Sequence, residues 1–181
     1  SANPDCLYLS VIGEAGGPFV RQIRQAGYKG VIFDKESFMS SQIEIAGEEN
    51  SNYIAFANPY VTYKAVEDCD IDNVKEFLQK YYDEYGKMVA TDSAYRGYDA
   101  MTVLKAAAET AGSNDPTALR DAMVKVQVPG LGGTLDFSSG TREGYEKFNA
   151  FILVNGKNML WDKWLDNGGY EQYKTDTGSA K

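Results

Sequence analysis

The 181-residue sequence contains no histidine, which removes the commonest general base and the commonest metal ligand together. Histidine-dependent triads and histidine-bound zinc are excluded. Cysteine is scarce: Cys6 and Cys69 are too few for a disulfide framework. Cys6 falls in an apolar, strand-like run and is expected as a buried thiol, whereas Cys69 falls in a polar turn and is expected at the surface; a bond between the two has nothing in the pattern to support it. Long apolar runs are also missing. Stretches such as 151–154 fall far short of the roughly 18–20 residues that cross a bilayer, and no basic-then-apolar leader opens the sequence, so an export signal would have to lie upstream of residue 1. Positive charge is thin, with 18 Lys+Arg against 26 Asp+Glu, a net charge of -8 and a pI near 4.6. Contact with a phosphate backbone needs clustered Lys and Arg, so no nucleic-acid partner is expected.

What remains has the composition of a globular chain. Hydrophobic residues make up 43% and charged residues 24%, close to the average for folded domains, so the sequence can form a core. The first third alternates strand and helix. Residues 6–11 are an apolar run, 18–25 carry Phe19, Val20 and Ile23 at helical spacing, Gly27 suits the end of that helix, and 30–33 are a second apolar run. This is a β-α-β unit with the short loops and continuously apolar strands of a parallel sheet. A short helix over 40–46 ending at Gly47 and a third strand over 53–57 follow. At Asn58-Pro59 the pattern changes into an extended segment, 60–63, and then an acidic turn.

Three helices are expected next. The first carries Ile71, Val74, Phe77, Leu78, Tyr81 and Tyr85, with Asp70 as its N-cap. The second spans about 93–111, and the third opens at Asp115-Pro116. Strands return at 133–137, 147–154 and 159–164, the last two joined by Asn155-Gly156, a favoured pair for a tight hairpin turn. Residues 166–181 read as a polar tail.

Few positions carry chemistry. Asp68, Asp70, Asp72 and Asn73 resemble the start of a calcium loop, but the sixth and twelfth positions are Asn73 and Gln79 where glycine and glutamate are required; capping of the following helix accounts for the run. The glycines at 130, 132 and 133 precede a strand, not a helix, and so form a turn, not a phosphate cradle. Tyr81, Tyr82 and Tyr85 are spaced as the core and rim of a helix. Two places lie just after strands, where open α/β sheets bind ligands. One is the loop Ile12-Gly13-Glu14, whose glycine allows close backbone approach and which leads into the free amides of a helix. The other is residues 34–37, where Glu36 could hold a ligand ammonium by charge-assisted hydrogen bonds or stand as an ordinary loop acid.

The order and spacing of Asn3-Pro4-Asp5, Phe19-Val20-Arg21-Gln22-Ile23-Arg24-Gln25-Ala26-Gly27, Gly30-Val31-Ile32-Phe33, Ile45-Ala46-Gly47-Glu48, Tyr98-Asp99-Ala100-Met101 and Gly132-Gly133-Thr134-Leu135-Asp136-Phe137 resemble the C-terminal portion of class I periplasmic solute-binding proteins, the branched-chain amino-acid receptors of ABC transporters. The resemblance runs over most of 3–157. It implies an α/β fold with a parallel sheet flanked by helices, forming the C-terminal part of two Rossmann-like lobes that close on a small ligand. Residues 1–58 then belong to lobe two, 59–146 to a mainly helical return into lobe one, and 147–165 to strands returning to lobe two.

By the same resemblance Glu36 takes the α-ammonium of an amino acid, Ile12, Gly13 and Glu14 contact the ligand, Tyr95 lies near the cleft rim, and Asn58 and Pro59 form a crossover hinge. Relatives specific for aliphatic amino acids carry a tyrosine near Ile12 and Gly13. This sequence does not, which leaves the ligand open. The implied protein is an extracytoplasmic receptor, not an enzyme, with a membrane permease as partner and no metal or cofactor. Neither lobe is complete, so uncovered edges are expected to pair with a second copy. An α/β enzyme using Glu14 or Glu36 as base, or a sensing ectodomain of the same fold, are the alternatives.

Overall fold

The computed structural model describes residues 4–11, 13–140, 142–145 and 148–178. Its main sheet has five strands in the order β1-β2-β3-β6-β7. β1 (Cys6–Leu9), β2 (Val31–Asp34) and β3 (Ile54–Asn58) are parallel, β6 (Asn149–Val154) adds antiparallel to β3, and β7 (Lys157–Leu160) adds antiparallel to β6. The β-α-β reading of the first third therefore holds. α1 (Gly16–Gln25) and α2 (Ser40–Ala46) cover one face, where Leu9, Val20, Ile32, Phe38, Ile43, Ile54, Phe56, Phe151 and Leu153 are buried. The two helices touch closely because α1 starts on glycine: a Cβ on Gly17 would stand 2.8 Å from the Ile45 Cβ and 2.9 Å from the Gln42 carbonyl. At the other end of α1, Arg24 donates to four main-chain carbonyls, those of Tyr28 (3.1 Å), Gly30 (2.7 Å), Asn50 (3.1 Å) and Asn52 (2.7 Å). One side chain thus ties the helix end to the starts of β2 and β3.

The opposite face is covered by the end of the chain, which corrects the expected tail. Of the expected tail 166–181, the described residues 166–178 form helix and turn: α6 (Trp161–Asp166) and α7 (Gly169–Thr177) pack Trp164 and Tyr173 onto Tyr53 and Ile152, with the Tyr53 and Tyr173 rings edge to face at 5.0 Å; residues 179–181 lie outside the described residues. The last strand is correspondingly shorter than expected, since the chain turns helical at Trp161. Asn155 and Gly156 form the β6–β7 turn with φ of 51° and 70°, as a type I′ hairpin requires. Further along this face, Tyr8 (69% exposed) and Phe33 (41%) stay open to solvent.

Between β3 and β6 lies a second unit of α3 (Asp72–Tyr85), α4 (Ser93–Ala111), α5 (Pro116–Met123) and the hairpin of β4 (Gln127–Gly130) with β5 (Gly133–Asp136). Asp115 caps α5 by accepting from Thr117 and Ala118, with Pro116 at the first helical position. Val103, Ala107, Ala122, Val126 and Leu135 form its own small core. β4 went unread in the sequence. Asp70 does not cap α3, whose cap position is Ile71 with no side-chain bond; Asp70 pairs with Lys163 at 2.7 Å and Asp68 with Lys157 at 2.5 Å, fastening the acidic turn to the C-terminal hairpin and helix.

The cysteine expectations are reversed. Cys6 opens an edge strand and is exposed, while Cys69 is buried at 1% exposure, its sulfur facing the Ile71 carbonyl and the Tyr63 hydroxyl. Both thiols are free.

Candidate functional site

Parallel strands end together on one side of the sheet, and the loops that leave them there are brought side by side. The β1–β2 ladder continues one step beyond the strands, Lys35 N–H donating to the Leu9 carbonyl at 3.1 Å. The first loop turns at Gly13, whose φ of +64° lies in the left-handed region that favours glycine. The second loop spans 35–39. Gln42, 3% exposed, joins them: its Nε2 donates to the Gly13 carbonyl at 2.9 Å, and its Oε1 accepts from the Met39 N–H at 2.7 Å. The second loop is also fixed to the segment after β3. Ser37 Oγ donates to the Tyr60 carbonyl, and Ser40 meets the Thr62 hydroxyl through both its N–H (3.1 Å) and its Oγ (3.0 Å).

On this braced loop Glu36 is half-buried. Among the described residues its carboxylate accepts no hydrogen bond and forms no ion pair. Gly13 and Glu14 are exposed on the neighbouring loop, and Ile12 lies outside the described residues. The structure thus sets the loop that carries Glu36 beside the loop that carries Gly13 and Glu14, the two joined through Gln42. Tyr95 is different. The rim expectation is corrected: Tyr95 is 1% exposed, stacked on Tyr60 at 5.7 Å and tilted against Phe77 at 5.3 Å. It belongs to the inward face of α4 with Asp99, Val103 and Ala107, so its period along the helix decided its place.

Asp34 opens the candidate stretch 34–37, but the sequence reading assigns the ligand contact to Glu36 and gives Asp34 no role of its own. It ends β2 on the same sheet face as Phe56, its register partner, and is 5% exposed, with Oδ1 lacking any partner. Burial pushes its carboxyl up to about 6; the Lys35 and Glu36 amides pull the other way, and the nearby Glu36 charge adds to the rise. The signal in the sequence was an acid at the last position of a strand otherwise built from Val, Ile and Phe.

Asn58 and Pro59 stand where the chain leaves the sheet. Asn58 pairs with Asn149 across β3 and β6, and its Oδ1 accepts from the Tyr60 N–H at 3.1 Å. The outgoing and returning connections therefore cross side by side. Beyond them is a buried acid, Asp99, 3% exposed, which accepts from the Tyr60 hydroxyl (2.7 Å), the Leu131 N–H (2.9 Å) and the Tyr145 hydroxyl. Burial first, and these contacts second, hold the Tyr145 phenol up to about 12 and the Tyr60 phenol well above its ordinary range.

A family model described as periplasmic binding protein matches residues 1–157. The chain belongs to the periplasmic binding protein family. Among solved structures it is similar to a leucine binding protein from Thermotoga maritima, at 27% identity and a TM-score of 0.67 over 87% of this chain and 44% of that one. A branched-chain amino acid transporter substrate binding protein from Streptococcus pneumoniae in complex with isoleucine matches at 20% identity, TM-score 0.65, over 86% and 43%. A solute binding protein of an ABC transporter from R. palustris, in complex with benzoate, matches at 17% identity, TM-score 0.64, over 87% and 42%. No curated protein sequence gives a significant match. The chain spans less than half the length of these structures. The family is one of periplasmic, hence extracytoplasmic, binding proteins, these relatives are binding proteins of small molecules, and among the described residues no helix is long and apolar enough to cross a membrane.

Proposed function

We propose that this sequence supplies one wall of a cleft that binds an amino acid or a similarly amphipathic small molecule for uptake through an ABC-transporter permease. Glu36 takes the ligand's ammonium, the 12–14 loop lies against its body, and Asn58-Pro59 forms part of the hinge on which the walls close. The observation that carries this reading is a carboxylate without a hydrogen-bond or ion-pair partner among the described residues, held on a loop braced at Ser37, Met39 and Ser40 at the carboxyl ends of parallel strands. That is where open α/β sheets take ligands, and a cation arriving there satisfies that charge. A carboxylate-base enzyme finds less support, since the family and its solved relatives are binding proteins.

The test is calorimetric titration of L-leucine, L-isoleucine and benzoate into the protein carrying this sequence, with and without Glu36→Gln. An amino acid should bind and lose affinity by at least about tenfold in the variant, the scale of one charge-assisted hydrogen bond. Amino-acid affinity unchanged by the substitution, or binding of benzoate alone, overturns the role given to Glu36.

A further inference from the structure

Tyr60 is the first residue after Asn58-Pro59, and each end of it is held by a different part of the protein. Its carbonyl accepts from the hydroxyl of Ser37, the residue next to Glu36. Its phenol donates to Asp99 on α4 at 2.7 Å. The ring between is buried: Tyr95 lies parallel at 5.7 Å, Tyr145 stands edge-on at 5.8 Å, and the Arg96 guanidinium lies 5.2 Å from the ring centroid. Packed in this way and held at its hydroxyl, the ring couples the carbonyl end to the phenol end.

Asp99 in turn gathers three strangers in sequence. It holds Tyr60 from the outgoing connection, Tyr145 from the returning one, and the Leu131 N–H from the β4–β5 turn, while the Gly132 N–H donates to the Tyr145 hydroxyl at 3.1 Å. A buried carboxylate with all its donors in place is a fixed joint, because losing one donor leaves the charge under-solvated. The second rung from Thr62 to Ser40 means that a shift of the outgoing connection is passed to the 37–40 loop at two points.

We propose that Tyr60 is a positioning residue for Glu36, transmitting the state of the Asp99 joint, where both connections meet the second unit, to the loop that carries the ligand contact. The consequence for affinity rests on the reading of Glu36 given above; the mechanical link does not.

The experiment measures amide hydrogen exchange at residues 35–40, together with L-leucine affinity, in the wild type, Tyr60→Phe, Ser37→Ala, Asp99→Asn and the double variant Ser37→Ala/Asp99→Asn. Tyr60→Phe and Asp99→Asn are expected to speed exchange at 35–40 by on the order of tenfold, the scale of one lost hydrogen bond to a charged group, although neither substituted atom touches that loop. Amides of α1 should stay as they were. The double variant should speed exchange at 35–40 by clearly less than the product of the two single effects, since Ser37 carries one of the two rungs through which the Asp99 joint reaches the loop. Faster exchange confined to α4 and the β4–β5 turn, or a double variant that multiplies the two single effects, overturns the proposal. Tyr60→Phe keeps the ring packing and decides the matter should Asp99→Asn fail to fold. If the wild type binds no amino acid, the reading of Glu36 fails while the exchange data still decide the link.

Discussion

Asp34 offers a direct measure of what the fold tolerates at the end of β2. Its carboxyl is sealed from water with one oxygen unpartnered, and burial moves it from an ordinary 3.8 to about 6. One pH unit of proton affinity is worth about 1.4 kcal/mol, so carrying this group ionised at neutral pH costs about 2–3 kcal/mol. The sign follows from where the proton binds more tightly. The folded state holds it more strongly than the unfolded state, so the contribution to stability is complete below about pH 4, falls as pH rises through about 6, and is absent above. Asp34→Asn removes the charge and keeps the shape. At pH 7.5 the variant should be more stable by about 2–3 kcal/mol, raising the melting midpoint by roughly 5–10 °C for a chain of this size. At pH 4 the two proteins should nearly coincide. Denaturant or thermal unfolding of both proteins between pH 4 and 8 gives the difference directly, and the other acids cancel in it. A variant equal to or less stable than the wild type at pH 7.5, or a difference that does not change with pH, refutes the argument.

Other expectations are read from contacts described above. Arg24→Ala strips the donor from four carbonyls and should cost about 2–4 kcal/mol by denaturant melts, the range for hydrogen bonds from a charged group once their non-additivity is allowed for; a loss below about 0.5 kcal/mol, ordinary for a surface change, would show those carbonyls content with water. A thiol reagent should modify Cys6 within the mixing time of a native sample and reach Cys69 only on unfolding, because burial and the Tyr63 contact protect the second thiol; simultaneous modification of both contradicts this placement.

The legible parts of the fold are those in which a local pattern and the final packing ask for the same thing. Val31 and Ile32 are both apolar because one packs toward the terminal helices and the other is buried under α1 and α2, and Asn155-Gly156 can take positive φ in succession at little cost. α7 was hidden because 166–181 is polar in bulk, and α6 because the apolar stretch 159–164 reads as strand. Their information is in the spacing of Trp161 with Trp164 and Tyr170 with Tyr173, two contacts in a surface that is otherwise solvated. β4 was hidden for a similar reason, being four residues that include Pro129 and Gly130 and are stable only against β5. Of the candidate site, Glu36, Gly13 and the stretch 34–37 could be named, but not the burial of Asp34, which depends on which sheet face it occupies. The Asp99 joint could not be foreseen either, since its partners Tyr60 and Tyr145 lie 39 and 46 residues away in opposite directions.

The pairing of β3 with β6 sets Ile54 beside Leu153, residues separated by about a hundred positions. A chain emerging from the ribosome can complete the first three strands and their two helices long before that partner exists. For that interval the outer edge of β3 stays unsatisfied, and Tyr53 and Ala55 have neither α6 nor α7 above them. Early folding is therefore local and fast while closure of the sheet is distant and slow. Any truncation that removes the last thirty or so residues would arrest the protein in the state most exposed to wrong partners, which makes the C-terminal hairpin and its two short helices the segment that ends the hazard.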